Sequence, residues 1–345
     1  MSVGAAGRTS NRIAVDAMGG DHAPAKIVDG AVAAARYSGV AVTLVGQTAA
    51  IEAELARHPD REDLDVQVVE APEVIGMSES PAQALRRKPR ASVRVAAELV
   101  ARGGAAGVVT AGHTGAAVVA AHGTFGMLPH VDRPALAPAI PTRTGMAVLL
   151  DAGATVACRA SHLLQFGIMG AVYAGVLLGV DAPRVGLLSI GEEEGKGNEL
   201  TREAYKLLKA APVRFVGNVE ARDMFSGNAD VIVCDGFTGN VALKLSEGLV
   251  ETVEELLGDE LSSTFSSQVG YLLSRRAFRR FRKRVDYSEY GGAPLLGVSG
   301  LVLVCHGRSS AKAIRNAVVA ASRFAADGVV QQVAGRVATA MENQG

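Results

Sequence analysis

Short β-branched runs alternate along the whole chain with longer stretches in which apolar residues recur every three to four positions, a pattern that predicts an α/β fold with a largely parallel sheet. The apolar runs predict strands at Ile13–Asp16, Val40–Val45, Asp65–Val69, Gly107–Ala111, Ala147–Asp151, Val185–Ile190, Val213–Val216, Val231–Asp235 and Leu301–Cys305. Helical spacing predicts a first helix after Asp21, with Pro24 suited to its opening turn and Ile27, Ala31, Ala34 and Ala35 as its apolar stripe. Further helices are expected at about Ser92–Arg102, Thr114–Thr124, Asn198–Lys209, Gly239–Leu257 and Ser309–Ala326. The run LLQFGIMGAVYAGVLLGV at 163–180 nears the length of a membrane span, but its four glycines lower helix propensity and no positively charged flank follows it. It reads as a helix buried against a sheet or a partner subunit.

Composition narrows the class. With 345 residues, 48% of them hydrophobic and 20% charged, the chain folds around a sizeable core and is not intrinsically disordered. Lys plus Arg and Asp plus Glu each number 35, so no global basic field holds nucleic acid or a membrane surface. Aromatics at 4%, with no Trp, leave few platforms for stacking bases. The three cysteines, Cys158, Cys234 and Cys305, have no CxxC spacing, which suits a reducing cytoplasm and indicates neither disulfides nor a zinc site. MSVGAAGRTSNR lacks a secretory apolar segment. Residues 1–11 read as a flexible tail and 12–345 as a single large catalytic domain.

Ligands in open α/β sheets bind outside the carboxyl ends of strands. Two such ends echo each other there: VVTAGHTGAAV at 108–118 and VIVCDGFTGNV at 231–241 both run from a strand through G-x-T-G into a helix. Gly112, Gly115, Gly236 and Gly239 would let backbone N–H groups approach an anion, and Thr114 and Thr238 would each add a hydroxyl. The alternative is a pair of ordinary tight turns. Neither GxGxxG nor GxxxxGK[ST] is present.

Further strings complete the pattern: DAMGGDHAP at 16–24, IGEEEGKGNE at 190–199, VCDGFTGNVALK at 233–244, and YGGAPLLGVSG at 290–300 leading to HGRS at 306–309. Together with the first G-x-T-G turn, this ordered set resembles the PlsX family of bacterial phosphate acyltransferases from about Arg12 to Ala326. The resemblance implies synthesis of acyl-phosphate from fatty acyl-[acyl carrier protein] and inorganic phosphate, for phospholipid synthesis. It also implies a Rossmann-like three-layer α/β/α fold akin to phosphotransacetylases and isopropylmalate dehydrogenases, and a homodimer. A cytoplasmic protein is implied, peripherally associated with the membrane and handing product to an acyl-phosphate:glycerol-3-phosphate acyltransferase. His113 and Thr155 stand where the family pattern leads one to expect Asn.

Moving an acyl group from a thioester to phosphate needs an anion cradle, a polarised carbonyl and support for the departing thiolate, with no metal or redox cofactor. Asp16, Gly19, Gly20, His22, Gly112, His113, Thr114, Gly115, Gly236, Thr238, Gly239 and Asn240 are the candidate substrate- and phosphate-binding residues. Lys196, Asn198, His306 and Asp235 are the catalytic candidates: Lys196 as cation, Asn198 as neutral donor, and His306 or His22 as donor to phosphate or sulfur. Asp16 and Asp235 are given organising roles, because a bare carboxylate repels phosphate. An acyl-cysteine route through Cys305 and His306 is disfavoured, since consecutive strand residues point to opposite faces.

The run RRAFRRFRKR at 275–284 lies in a basic amphipathic helical segment expected at about 258–285. Leu273, Ala277, Phe281 and Val285 recur every four residues, with Phe278 alongside. Arg275, Arg276, Arg279, Arg280 and Arg282, with Phe278 and Phe281, therefore form a candidate dock for anionic lipid or for the acidic carrier protein. Two other readings stand beside the first: a phosphotransacetylase-like enzyme using acyl-CoA, and a non-catalytic membrane-docked anion-binding module.

Overall fold

A computed structural model describes residues 11–285 and 291–342. The proposed tail lies outside them apart from its last residue. The first half runs β1 (Ile13–Asp16), α1 (Ala25–Ser38), β2 (Val42–Gly46), α2 (Thr48–Leu55), β3 (Val66–Glu70), α3 (Pro81–Arg87), α4 (Ser92–Ala101), β4 (Gly107–Thr110) and α5 (Thr114–Phe125). Then follow β5 (Ala135–Leu136), β6 (Ala139–Pro141), β7 (Met146–Leu150), α6 (Ala160–Leu178), β8 (Arg184–Ser189), α7 (Glu199–Ala210), β9 (Arg214–Glu220) and β10 (Val231–Val233). The chain continues through α8 (Gly236–Ser262), α9 (Phe265–Val285), β11 (Ala293–Leu296), β12 (Val302–Val304), α10 (Ala311–Ala326) and α11 (Val329–Glu342).

The strands form two sheets. The larger has the order β3-β2-β1-β4-β12-β11-β5 and the smaller β6-β7-β10-β8-β9. Pairing is parallel except at β11, which runs antiparallel to β12 and β5, and at β6, antiparallel to β7. From β1 the chain builds outward through β2 and β3, then returns to place β4 on β1's other side. That reversal opens a crevice at the carboxyl ends of β1 and β4.

Helices cover both faces. The predicted stripe of α1 is buried at Ile27, Ala31, Ala34 and Ala35, and the helix ends on Gly39 in the left-handed region (φ 63°). One buried apolar cluster runs from β1 and β4 through α6 to β7, β8 and α10, so the two sheets share a core. By length and composition α6 could cross a membrane, yet 61% of its apolar window is buried inside the protein. Its glycines serve that packing: a Cβ on Gly167 would lie 2.6 Å from Leu208, and one on Gly170 2.6 Å from Val231. The long apolar run is thus a helix pressed against β10 and α7.

Every predicted strand forms, with ends shifted by a few residues. The missed strands β5, β6 and β11 span two to four residues, and β6 and β11 contain proline. The missed α2 and α3 are short, at eight and seven residues, whereas α11 carried a readable stripe at Val329, Val333, Val337 and Ala340, all buried. The helix expected at 239–257 starts earlier, at Gly236, because Asp235 caps it, and runs on to Ser262. The basic helix begins at Phe265.

Candidate active site

At the β1/β4 crevice the carboxyl of Asp16 is buried, accepting from Thr110 Oγ1 at 2.7 Å and Met18 N at 3.3 Å. Burial pushes this carboxyl above its ordinary value, against the hydrogen bonds from Ser92 and Thr110. Gly19 is held so close that a Cβ there would lie 2.6 Å from Asp16 Oδ2 and 2.7 Å from Gly112 N. The ends of β1 and β4 are therefore in direct backbone contact. A small cleft at this point is lined by Asp16, Gly19, Ser92, Thr110, Gly112 and His113. His113 is the N-cap of α5, its Nδ1 accepting from Gly115 N at 3.0 Å. Acting as an acceptor, the ring does what an Asn side chain does at a cap.

A second carboxyl, just after β7, ties its own loop to β5. Asp151 is fully buried and accepts from Leu136 N (2.8 Å), Gly153 N (2.9 Å), Ala154 N (3.0 Å) and Thr155 N (2.6 Å). Burial pushes it up from its ordinary value, while the four N–H groups favour the anion. Thr155 donates its hydroxyl to Pro134 O at 2.8 Å and accepts at its carbonyl from Gly236 N at 3.0 Å. Asp235 caps α8, accepting from Thr238 N at 2.9 Å and Thr238 Oγ1 at 2.7 Å. A Cβ on Gly239 would stand 1.9 Å from Asp151 O, so this first turn of α8 is seated against the Asp151 loop. Asn240 follows it, exposed, with its side chain beside Gly153.

The two G-x-T-G strings are consequently not equivalent. In the first the cap is His113, inside the string; in the second it is Asp235, before the string, and all four residues are helical. The echo is one of letters, offset by two positions in geometry. Thr114 opens α5, and Thr238 is already engaged by its cap.

A third set of contacts gathers at the β12 end. Within the larger sheet, Asp21 N donates to Gly307 O at 2.8 Å, binding the β1 end to the β12 end. From α8, Lys244 Nζ lies 2.9 Å from His306 Nε2 and 3.1 Å from Glu247, and Arg308 lies 3.5 Å from Glu251. An ammonium only donates, so the imidazole accepts from it as a neutral ring. Burial and then Lys244 hold His306 below its ordinary value. Sequence reasoning missed Lys244, although it closes the quoted string at 233–244: it stands two turns beyond the conspicuous glycines, where only the direction of α8 reveals its role.

Other candidates are placed differently. His22 and Gly20 follow β1, with His22 exposed. Asn198 caps α7, its Oδ1 accepting from Thr201 N at 2.9 Å, which leaves its amide N–H₂ to donate. Lys196 is exposed on the β8–α7 loop, and no hydrogen bond or ion pair joins its ammonium to the other candidates among the described residues. Cys234 and Cys305 are buried, and burial pushes Cys305 to about 12 and Cys158 to about 11. None is a ready thiolate. On α9, Arg275, Arg276, Arg279 and Arg280 are exposed, and Arg282 lies 3.5 Å from Glu254. Phe278 packs on Tyr271 of the same helix, ring centroids 5.4 Å apart, and both, with Phe281, line an apolar groove of about 280 Å³ shared with Leu257 and Leu261 of α8. The outward apolar residues of the hairpin are instead Leu245, Leu249, Leu256, Phe265, Leu272 and Leu273.

Solved structures share the fold. A phosphotransacetylase from Streptococcus pyogenes superposes with a TM-score of 0.61 at 16% identity, covering 92% of this chain and 94% of that one. A branched-chain phosphotransacylase from Enterococcus faecalis V583 gives 0.52 at 15%, covering 92% and 98%. At this identity the likeness is one of architecture. The sequence goes further: the family described as "Fatty acid synthesis protein" matches residues 11–332. A phosphate acyltransferase of Geobacter sp. (strain M21) is 54% identical over 95% of this chain and 92% of its own. One from Nitratidesulfovibrio vulgaris (strain DP4) is 55% identical over 91% of each. The chain belongs to this fatty acid synthesis protein family.

Two predictions test the site's construction. Asp151→Ala leaves four N–H groups without their acceptor and is expected to lower stability by about 3 kcal/mol or more, whereas Asp151→Asn keeps most of them; urea denaturation measures both. The second concerns His306. Its folded value lies below its unfolded one, so protonation as pH falls through the unfolded value of about 6.5 favours the unfolded state. Lys244→Met removes the neighbouring cation, and the NMR titration of His306 should shift to higher pH, with acid-induced destabilisation reduced.

Proposed function

We propose that this chain is a phosphate acyltransferase that makes acyl-phosphate from fatty acyl-[acyl carrier protein] and inorganic phosphate. One observation carries the reading: similarity at 51–55% identity, over at least 91% of the chain, to proteins named phosphate acyltransferase. A phosphate oxygen attacks the thioester carbonyl carbon, a C–O bond forms, the C–S bond breaks, and the thiolate leaves with the electron pair and takes up a proton. Because the thioester is already activated, positioning and charge stabilisation do most of the work. Residues from 12 onward act as one catalytic unit, a reading supported by the core shared between the sheets.

In this scheme the Gly19–Gly20 and Gly112–Gly115 turns, with the first turn of α8, shape the phosphate site; Gly112 N, Gly115 N, Gly236 N and Thr238 N are engaged by Thr110, His113, Thr155 and Asp235, so the hydrogen bonds to phosphate come from the remaining N–H groups of these turns. Around His306, Lys244 Nζ and Arg308 N both point at a neutral ring that has one lone pair, and Arg308 N lies 3.2 Å from Nδ1. This surplus of donors suits an anion. Asp16 and Asp235 organise donors and leave the charge to the substrate. Lys196 answers the developing oxyanion from the β8–α7 loop, beneath which Ser189 Oγ and Asn218 Oδ1 are buried without a partner and favour a polar guest. The raised thiols support direct phosphorolysis over an acyl-cysteine.

The α8–α9 hairpin serves assembly and the membrane. Its outward leucines support a homodimer and a peripheral lipid contact at the cytoplasmic face, with arginines drawn to anionic headgroups and product passed to a glycerol-3-phosphate acyltransferase.

Mass spectrometry of purified protein incubated with palmitoyl-carrier protein and phosphate should detect acyl-phosphate; free carrier alone would mean hydrolysis, and no turnover with carrier or CoA donors would leave a binding module. Lys196→Ala should lower kcat with an unchanged melting curve, and unaltered kinetics would remove Lys196 from the site. For the hairpin, Arg279→Glu/Arg280→Glu/Arg282→Glu should abolish sedimentation with anionic vesicles at low salt, and Leu272→Ser/Leu273→Ser should weaken it at every salt concentration. Persistence of vesicle binding in both variants would overturn the lipid role.

A further inference from the structure

The segment joining β3 to β4 carries charge that the catalytic scheme leaves unused. Residues 71–94 hold five basic side chains (Arg86, Arg87, Lys88, Arg90, Arg94) against two acidic ones (Glu73, Glu79). The structure sorts them. Lys88 is spent on the fold, its Nζ donating to Glu79 at 2.6 Å and to Val74 O at 2.7 Å, and Arg94 lies 3.2 Å from Glu98. Arg86, Arg87 and Arg90 are exposed, and their guanidinium groups make no hydrogen bond or ion pair among the described residues. Nearby carboxylates are occupied by backbone: Glu73 accepts from Arg90 N at 2.6 Å and Glu70 from Thr48 N at 2.9 Å.

This patch adjoins the cradle. Val74, Ile75, Ser92 and Val93, which flank it in sequence, line the same cleft as Asp16, Gly112 and His113. Pro81, the first residue of α3, would be 2.9 Å from a Cβ on Gly115 in the turn that opens α5. Three exposed arginines without a direct ion pair, Arg87 and Arg90 feeling the more distant charges of Glu79 and Glu70, therefore stand on α3 and the loop after it, which wall the phosphate-binding turn.

We propose that α3 and the loop after it, through Arg86, Arg87 and Arg90, form the docking surface for the acidic carrier protein that delivers the acyl thioester. The inference rests on the phosphate acyltransferase reading above. Charge complementarity favours this face over α9. The basic run at 275–284 is partly engaged by the fold, with Arg282 3.5 Å from Glu254 and Arg284 donating to Thr142 O at 3.1 Å, and the hairpin's outward leucines suit lipid or a second copy better than a charged partner. Arginine also suits an interface with carboxylates, offering a planar, weakly hydrated fork. A carrier seated on α3 has its thioester arm beside the cleft.

The test compares two donors. Palmitoyl-carrier protein presents the acidic surface; palmitoyl-pantetheine presents the same thioester without protein or charge. For Arg86→Glu/Arg87→Glu/Arg90→Glu, kcat/KM with the carrier donor should fall about tenfold or more and lose its salt dependence, while kcat/KM with palmitoyl-pantetheine stays within about twofold. The Gln counterpart of the triple, checked by its melting curve, should show a smaller loss with the same selectivity. An equal fall with both donors, or no fall with the carrier donor, overturns the docking surface. So does a selective loss of the carrier donor in Arg279→Glu/Arg280→Glu/Arg282→Glu with the α3 variant unaffected. Should the unmodified protein yield no acyl-phosphate from either donor, the enzymatic reading itself fails, an outcome separate from any selectivity between the two.

Discussion

The candidate site depends on the buried carboxyl of Asp151 and the four backbone N–H groups that converge on it. A loop folded around one carboxyl has a fixed shape, and α8 is seated on that shape. Gly236 N bonds to Thr155 O, and Gly239 approaches Asp151 O more closely than any side chain would allow. The direction of α8 follows from this seat. Two turns on, the helix presents Lys244, Glu247 and Glu251 to His306 and Arg308 at the end of β12 in the other sheet. A buried hydrogen-bond cluster in one half of the molecule thus sets the polar contacts that close the other.

At both carboxyls of the site, burial competes with hydrogen bonding. Burial raises Asp16 and Asp151 above their ordinary values against the hydrogen bonds each accepts, and burial with Lys244 lowers His306. The remaining positive charge comes from Lys244, Arg308 and Lys196, all reachable from solvent. Such a site suits chemistry in which the substrates bring the negative charge and the protein supplies donors.

How much of this was legible in the sequence follows from the range of the interactions. Strands such as Ile13–Asp16 are announced by their own residues, and their parallel order follows from alternation with helices. The candidates at strand ends, Asp16, Gly112, Asp235 and His306, were found because a strand end is a local feature. The pairing of Lys244 with His306 spans 62 residues and two sheets, and it depends on the angle at which α8 leaves its seat. No spacing rule carries that information. The G-x-T-G echo misled for a related reason: letters repeat, but capping is decided by which side chain reaches the free N–H groups, and His113 and Asp235 do so from different positions. The placing of Phe278 in the groove against α8 was equally invisible, since a helical stripe shows that a face is apolar without showing what covers it.

Length gives α8 its double character. Its 27 residues extend about 40 Å, so a helix that begins in the anion cradle ends well outside the body of the fold. Its first turns are pinned by Asp235, Gly239 and the contacts to His306; beyond them, leucines such as Leu249 and Leu256 are exposed and only α9 lies alongside. An isolated helical pair with so much apolar surface in water gains little from its own packing. A lipid surface or a second copy covering that face would bear directly on a rigid rod whose other end forms part of the site. The two basic regions differ as well: the basic run of α9 returns toward the body of the fold, where Arg284 donates to Thr142 O at 3.1 Å, and shares its helix pair with exposed leucines, while α3 is short, anchored by Lys88 and set against the cleft. Under the proposed function, a soluble partner that delivers a reacting group is served by charge beside the cleft, whereas the apolar face of the helix pair suits a lipid surface or a second copy.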